Sequence, residues 1–358
     1  MTLPAKPTLS LAMIVKNEAR CLGRCLRSVA PFVDEMVVAD TGSTDDTVKI
    51  GRESGAIMIH FPWPGDFSAA RNQALSKTTG DWVLVLDADE WASESLAREI
   101  LAFVRNRPAI GKLKIVSDFR QRGQIFRSQC HVPRLFPRGA RFEGRIHEQL
   151  ISPLPRICLQ GELWHDGYLD TQKADRNIAL LTAELEQNPG SLYFLFQLAK
   201  EYTSLNQPEQ ALARLEKAFA LMQPGDPLAP NIATDLLYTM MTLRRFEDGL
   251  KVMAQTEKYP DDFPDFFLAR GLFYMNLVRS NPAKYAAELP KIEASFQRCL
   301  SLGEEAKRQS VRGCGSFLAS FNLGLFHHVL GHKAAAAQFL QASAAQGYKP
   351  AAELLLKF

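Results

Sequence analysis

The chain has 358 residues, a length for two or three domains, and is 46% hydrophobic and 23% charged, with 22 glycines and 20 prolines; this composition fits a globular protein and excludes collagen-like, elastic and wholly disordered chains. Its 42 Lys and Arg against 39 Asp and Glu leave a formal charge of only +3, which gives no reason to expect a nucleic-acid partner. No run of about 18 apolar residues reads as a membrane span, and the opening MTLPAKPTLS lacks the apolar stretch of a secretion signal, so the expected location is the cytoplasm and the cysteines are expected as reduced thiols.

Along the first 90 residues, short β-branched runs alternate with amphipathic helical stretches, the pattern of an open α/β sheet. LSLAMIV at 9–15 reads as a buried strand. Residues 18–29 read as a helix with Leu22, Leu26 and Val29 on one face, and EMVVAD at 35–40 reads as the second strand. Cys21 and Cys25, four apart on that helix, read as packing residues, since no second Cys or His pair lies nearby to complete a zinc site. TGSTDDT then supplies turn residues and an N-cap, AIMIH at 56–60 is a third strand, and WVLVLD at 82–87 a fourth. Ligands of open α/β sheets bind beyond the carboxyl ends of the strands, so the polar loops at these ends are where a site is expected.

Residues 98–145 carry twelve Arg or Lys against three acids, an imbalance expected to face something anionic. From about residue 170 the texture changes to long helical periods. Residues 192–220 read as two helices hinged at 206–208, and residues 317–344 as a similar pair; Leu198 and Ala211 match Leu323 and Ala336, both offset by 125 positions. A looser copy spans 236–257. These pairs resemble degenerate tetratricopeptide repeats, in which small residues let helices pack closely and stacked neighbours complete each other's core. The domains are therefore expected at 1–170 and 171–358. His328 and His332, four apart, and the aromatic run Phe263, Phe266, Phe267, Phe273 and Tyr274 read as a helix face and as core.

Two acidic motifs carry chemistry. Asp87-Ala88-Asp89-Glu90 follows an apolar strand, and carboxylates at i and i+2 in such a turn can converge on one divalent cation and a ribose hydroxyl. Asp40-Thr41-Gly42-Ser43-Thr44-Asp45 sits between a strand and a helix, where an acid can accept from a base N–H or a ribose hydroxyl and Gly42 allows close backbone approach. Each motif alone is also ordinary loop and cap chemistry. No phosphate-binding GxxxxGK[ST], GxGxxG after a strand, HExxH or GxSxG is present.

Taken together with Val15-Lys16-Asn17-Glu18, Asp66-Phe67-Ser68-Ala69-Ala70-Arg71-Asn72 and Gly80-Asp81-Trp82, these motifs resemble, in order and spacing, the family-2 inverting glycosyltransferases of GT-A fold. The resemblance covers about residues 8–170. It implies an α/β GT-A domain followed by an all-α helical-repeat domain, and a metal-dependent transfer, with Mn²⁺ or Mg²⁺, from a nucleotide-diphosphate sugar. By that resemblance Asp40 contacts the nucleobase, Glu18 the nucleotide, Asp87 the ribose or the metal, Asp89 the metal, and Arg71 the donor phosphates or nucleotide.

Arg134-Leu135-Phe136-Pro137-Arg138, Phe142 to Glu148, and Trp164-His165-Asp166-Gly167-Tyr168 resemble the second half of bacterial members that glycosylate lipopolysaccharide cores or peptides. An inverting transfer needs a base for the acceptor proton, and Glu148 is the candidate. His165 is the expected late metal ligand, with His147 the competing ligand or a substrate contact. The implied donor is a UDP-sugar, UDP-glucose or UDP-N-acetylglucosamine. The repeat domain favours a peptide or protein acceptor and allows a homodimer; the basic segment favours a phosphorylated glycolipid. A GT-A scaffold without activity is the reading of a different class, opposed by the retention of Asp40, Asp87, Asp89 and Glu148, whose clustered charges are costly to keep. A nucleotidyltransferase would want a Gly-rich, Arg-containing loop after the first strand, which VKNEARC does not provide.

Overall fold

In a computed structural model, residues 6–106, 108–121, 124–166, 174–223, 225–256, 262–305 and 308–357 are described. The chain divides into two compact units, Met1–Asp170 and Thr171–Phe358. The expected boundary and the motif residues Gly167 and Tyr168 lie outside the described residues.

The first unit is a mixed sheet with helices against it. The strands β1 (Leu9–Val15), β2 (Glu35–Asp40), β3 (Ile57–His60) and β4 (Trp82–Val85) are parallel, in the order β3-β2-β1-β4. β1 is buried on both faces apart from Ile14, which is why its sequence is a continuous apolar run with no alternation. The helix α1 (Leu22–Val29) buries Leu22, Cys25, Leu26 and Val29. It starts four residues later than its periodicity suggests. Asn17 takes a left-handed backbone (φ 55°) and Cys21 and Leu22 N–H both bond to the Glu18 carbonyl, so residues 18–21 form a turn that holds Glu18 at the strand end.

α2 (Thr47–Glu53) and α3 (Phe67–Leu75) complete the parallel half. Asp66 caps α3, accepting from Ala69 N–H at 3.0 Å and from Ser68 Oγ at 2.8 Å. The second half of the sheet is built from elements that the sequence pattern did not outline. β5 (Glu90–Ala92) and α4 (Glu94–Phe103) precede a long antiparallel hairpin, β6 (Ile110–Gln121) and β7 (Gln124–Pro137); β8 (Arg141–Glu143) and β9 (Gln149–Ile151) form a separate small ladder; and β10 (Arg156–His165) returns parallel to β6 and antiparallel to β5. β7 pairs with β4, so the sheet continues β4-β7-β6-β10-β5.

α4 crosses β10 at Gly161, where a Cβ would lie 2.4 Å from Leu96 Cα, and Glu99 of α4 accepts the N–H groups of Gln160 and Gly161. This close crossing sets the height at which β10 delivers its last residue, His165.

The second unit is helical: α5 (Ala174–Gln187), α6 (Leu192–Ser204), α7 (Pro208–Leu221), α8 (Ala229–Thr242), α9 (Phe246–Thr256), α10 (Pro264–Ser280), the single turn α11 (Pro282–Tyr285), α12 (Leu289–Leu302), α13 (Phe317–Val329), α14 (Lys333–Ala344) and α15 (Lys349–Leu355). The two matched pairs are α6 with α7 and α13 with α14, and Leu198, Ala211, Leu323 and Ala336 are all buried. Small residues bring the helices together: Gly324 faces Leu340 and Gly249 faces Phe273. Phe263, Phe267, Phe273 and Tyr274 are core, while His327 is buried against Phe339 with Glu293 and His332 beside it. No helix among the described residues is long and apolar enough to cross a membrane.

Asp265 at the start of α10 is 6% exposed and accepts from Val311 N–H at 2.7 Å. Burial pushes its carboxyl up to about 7.

Two predictions follow from this packing. Gly161→Ala is expected to lower stability by about 1 to 3 kcal/mol through overpacking against α4, and an unchanged urea midpoint would contradict the close crossing. An ordinary Asp ionises near 4 when unfolded, so between about 4 and 7 the folded chain binds the extra proton and Asp265 costs stability as pH rises. Asp265→Asn should therefore melt higher than wild type at pH 8, with the gap closing by pH 4; a gap independent of pH would refute the assignment.

Candidate active site

The site lies beyond the carboxyl ends of β1, β2 and β4, where the end of β10 and the loop after β8 join them. The loops after β1 and β2 are tied together by four bonds: Asn17 N–H to Ser43 Oγ (2.9 Å), Thr44 N–H to Asn17 Oδ1 (2.7 Å), Glu18 N–H to Thr47 Oγ1 (2.7 Å) and Ala19 N–H to Asp45 Oδ2 (3.1 Å). Ser43 and Thr44 are thus more than turn formers. Asp40, 4% exposed at the end of β2, accepts the N–H groups of Gly42 and Ser43 at 3.2 Å, and His60 Nδ1 of β3 stands 3.9 Å away. Gly42 has φ 107°, a conformation that side-chain-bearing residues avoid. Glu18 accepts from the Cys21 thiol at 3.1 Å. Burial, and then Glu18, push that thiol up to about 12, so Cys21 is a neutral packing residue and not a thiolate ligand.

The acids after β4 divide between two kinds of neighbour. Asp87 Oδ1 accepts from Arg71 Nη2 of α3 at 2.9 Å, and Oδ2 from Arg134 Nη2 of β7 at 2.7 Å. The same Arg134 nitrogen reaches Glu90 Oε1 at 2.8 Å, and Glu90 Oε2 accepts Asp87 N–H at 2.8 Å, closing the turn. Arg71 Nε meets Glu148 Oε1. Arg71 and Arg134 are 8% and 9% exposed. Burial opposes the charge on Asp87, yet Arg134 and Arg71 outweigh it and hold the carboxyl well below the usual range. Glu90, 2% exposed, has the opposite balance: burial and then the Asp87 charge push it up to about 7 against the pull of Arg134.

Asp89 faces a different partner. Its Oδ1 lies 3.6 Å from His165 Nε2, and its carbonyl accepts Asp166 N–H at 3.3 Å. Ser117 Oγ of β6 holds the other ring nitrogen of His165 at 3.0 Å. Burial lowers the imidazole pKa, but the bond to Asp89 outweighs this and raises it overall. Arg24 of α1 bonds Asp166 Oδ2 at 2.7 Å while lying 3.7 Å above the Trp91 ring, so the residue after His165 is anchored as well.

Asp89 and His165 offer one carboxylate oxygen and one imidazole nitrogen, the latter oriented by Ser117, a donor pair that fits a divalent cation such as Mn²⁺. Among the described residues no three such groups converge. Mg²⁺ commonly takes only one or two carboxylates and completes its sphere with substrate phosphates and water.

Glu148 reaches the site through α3. Asn72 exchanges two bonds of 2.9 Å with the Phe142 backbone, and Phe67 N–H donates to the Arg145 carbonyl. Gly144 and His147 both turn with positive φ, and Glu148 comes to rest on Arg71.

All the residues expected from sequence, Glu18, Asp40, Arg71, Asp87, Asp89, Glu148 and His165, border these loop ends. Arg134 was missed; its signal was a basic residue inside the apolar strand residues Leu135 and Phe136. The basic segment also reads differently in the fold. Arg98, Lys114, Arg127, Arg134 and Arg141 pair with Glu94, Glu162, Asp118, Glu90 and Glu143, so part of the imbalance is taken up within the protein.

Residues 10–157 match the family model described as Glycosyl transferase family 2. The first unit is therefore a family 2 glycosyltransferase domain with a GT-A-like mixed sheet, followed by a helical repeat unit. A TPR repeat-containing protein of Synechococcus elongatus is 33% identical over 264 residues, 69% of this chain and 64% of its own. The SPbeta prophage-derived glycosyltransferase SunS of Bacillus subtilis is 29% identical over 231 residues, 59% of this chain and 53% of its own. An uncharacterized glycosyltransferase of Rickettsia felis is 44% identical over 92 residues, 26% of this chain and 32% of its own. The chain thus spans less than two thirds of the length of each of these curated relatives.

Arg134→Met should strand Glu90 and half of Asp87 without their cation, a loss of about 3 to 5 kcal/mol. Adding Glu90→Gln should recover part of it. Equal urea midpoints for wild type and Arg134→Met would show that the cluster does not hold the site together.

Proposed function

We propose that the protein is an inverting hexosyltransferase that takes its sugar from UDP-glucose or UDP-N-acetylglucosamine and gives it to a peptide or protein. The observation that carries this reading is the placement of Asp89 opposite His165, next to an Asp87 already neutralised by two arginines, in a domain of a glycosyltransferase family. Asp40 receives an N–H of the nucleobase and Glu18 the nucleotide, on loops whose mutual bonds keep both at the strand ends. Asp87 borders the ribose while keeping Arg71 and Arg134 in place.

Asp89 and His165 hold a divalent cation, Mn²⁺ or Mg²⁺, which when bound supplies positive charge toward the diphosphate of the leaving UDP. Arg71 adds a fixed cation on the same side, and its cost of orientation is already met by the fold. Glu148, fixed by Arg71 through Oε1, takes the acceptor proton on Oε2 as the nucleophile attacks the anomeric carbon opposite UDP, so that the configuration inverts. The helical repeat unit favours a polypeptide acceptor, because stacked helix pairs present extended surfaces to other chains. A phosphorylated glycolipid is the second reading, favoured by Arg138 and Arg145, which are exposed along the 138–145 stretch that leads to Glu148. Residence in the cytoplasm and self-association through the helical unit belong to the same proposal.

Calorimetric titration of UDP with Mn²⁺ present, with chelator, and with Asp89→Ala tests the site. Binding should weaken at least tenfold on chelation and in the variant. UDP affinity indifferent to both would remove the metal assignment, and absence of UDP binding throughout would leave a scaffold without activity.

A further inference from the structure

A polar recess in the helical unit takes no part in the site at the strand ends. The residues of α8 that escape burial are Asn231, Asp235, Tyr238 and Thr242, at i, i+4, i+7 and i+11, so they share one face of the helix. A stretch of the protein's own chain, residues 308–314, lies across one end of that face. Its Gln309 carbonyl accepts from Asn231 Nδ2 at 3.0 Å, its Gln309 side chain accepts from Lys200 Nζ of α6 at 3.1 Å, and its Val311 N–H donates to Asp265 Oδ1 of α10 at 2.7 Å. Tyr238 lies within electrostatic reach of Asp235, Asp265 and Cys314, so α6, α8, α10 and the connecting segment border one recess.

Several polar atoms there have unmet hydrogen bonds. Asp265 is 6% and Ser310 3% exposed, yet Asp265 Oδ2 and Ser310 Oγ have no hydrogen-bond partner. Among the described residues the half-buried Asp235 carboxylate and Tyr238 hydroxyl have none either. Buried polar groups are nearly always paired, and a ligand with several N–H donors would complete this set. The charges fix its sign. Asp235, Asp265 and Glu304 bring three carboxyl groups to the recess. Burial pushes Asp235 up to about 6 against the pull of Lys200, whose ammonium is engaged by Gln309. The nearby arginines are taken: Arg308 pairs with Asp262 and Glu305, and Arg270 bonds Ser295 and stacks on the Phe267 ring. Among the described residues no three groups are placed to hold a metal ion, which leaves an organic cation.

We propose that this recess takes a basic side chain, arginine or lysine, from an extended segment of a partner polypeptide. The Asp235 carboxylate and the Tyr238 hydroxyl receive its N–H groups at the mouth, with the Asp265 carboxyl behind them. The polar groups alongside are of the kind that holds a main chain. Asn231 already binds a main-chain carbonyl through its N–H group, and its oxygen is unused among the described residues. Lys200 keeps further N–H donors after bonding Gln309. An amide oxygen and an ammonium side by side suit the N–H and C=O of a peptide, which favours a polypeptide over a small amine. The recess lies wholly within the helical unit, so its occupant is independent of the transferase reading.

Fluorescence anisotropy on the full chain tests this with labelled pools of random heptapeptides whose central residue is fixed as arginine, lysine, citrulline or glutamate. At least one basic pool should bind about tenfold or more tightly than the citrulline and glutamate pools, the effect of a charge-assisted hydrogen bond. Asp235→Asn keeps the shape and removes the charge; it should weaken that binding about tenfold without lowering the melting temperature. Tyr238→Phe should weaken it about threefold, the share of one neutral hydrogen bond. As competitors, N-acetyl-arginine methylamide should outdo agmatine, which has the guanidinium but no peptide group, by about tenfold. Citrulline pools binding as well as basic ones, affinity indifferent to Asp235→Asn, or agmatine matching the methylamide would each overturn the proposal. So would the absence of binding by every pool up to about 1 mM. Should Asp235→Asn fail to fold, Tyr238→Phe carries the comparison, and unchanged affinity in that variant counts against the recess.

Discussion

Two guanidiniums buried at the strand ends, those of Arg71 and Arg134, require carboxylates beside them, and the geometry of the site follows from how those carboxylates are supplied. Charge taken out of water is tolerated only when paired and hydrogen-bonded. Asp87 gives one oxygen to each arginine, Glu90 serves Arg134 from below, and Glu148 serves Arg71 from the side. The five elements involved, the β4 end, α3, β5, β7 and the loop after β8, are thereby held to one another at one point. Removal of any one partner leaves a buried charge without its complement, so the cluster acts as a unit.

That arrangement separates the two aspartates of the Asp87-Ala88-Asp89 motif. Asp87 is committed to protein cations. Asp89 faces His165 across 3.6 Å. Two carboxylates two residues apart would repel if both stood alone at the same spot; here the first is offset by two arginines and the second lies beside an imidazole. The bond between Asp87 N–H and Glu90 Oε2 fixes the turn that points them in different directions, so even the third acid of the motif, which touches no expected ligand, contributes to the orientation of the second.

The parallel half of the sheet was legible in sequence because a strand buried on both faces must be a continuous apolar run, and three such runs, β1, β2 and β4, end in polar loops. The acids of the site were legible because they sit in those loops within a few positions of one another. The second half was harder to read for a physical reason. β6 and β7 are half-buried, with Leu113 and Ile115 inward and Lys112 and Lys114 less so, and their charges gave the stretch the look of a basic surface rather than of strands. The pairing of Arg134, quoted in a motif but given no role, was not legible because its partners are 44 and 47 positions away, a distance at which sequence spacing carries no information. Glu148 and His165 were reached through resemblance alone; nothing in their local pattern distinguishes them from surface residues.

His165 shows how the long-range parts of the fold meet the local ones. Its depth is set by β10, whose register shifts between Cys158 and Glu162, at the point where α4 crosses on Gly161 and Glu99 gathers the freed N–H groups. Its ring orientation is set from β6 by Ser117, and its following residue is tied to α1 through Arg24 and to Asp89 through the backbone. With Ser117 on one ring nitrogen and Asp89 facing the other, the imidazole has little orientational freedom left.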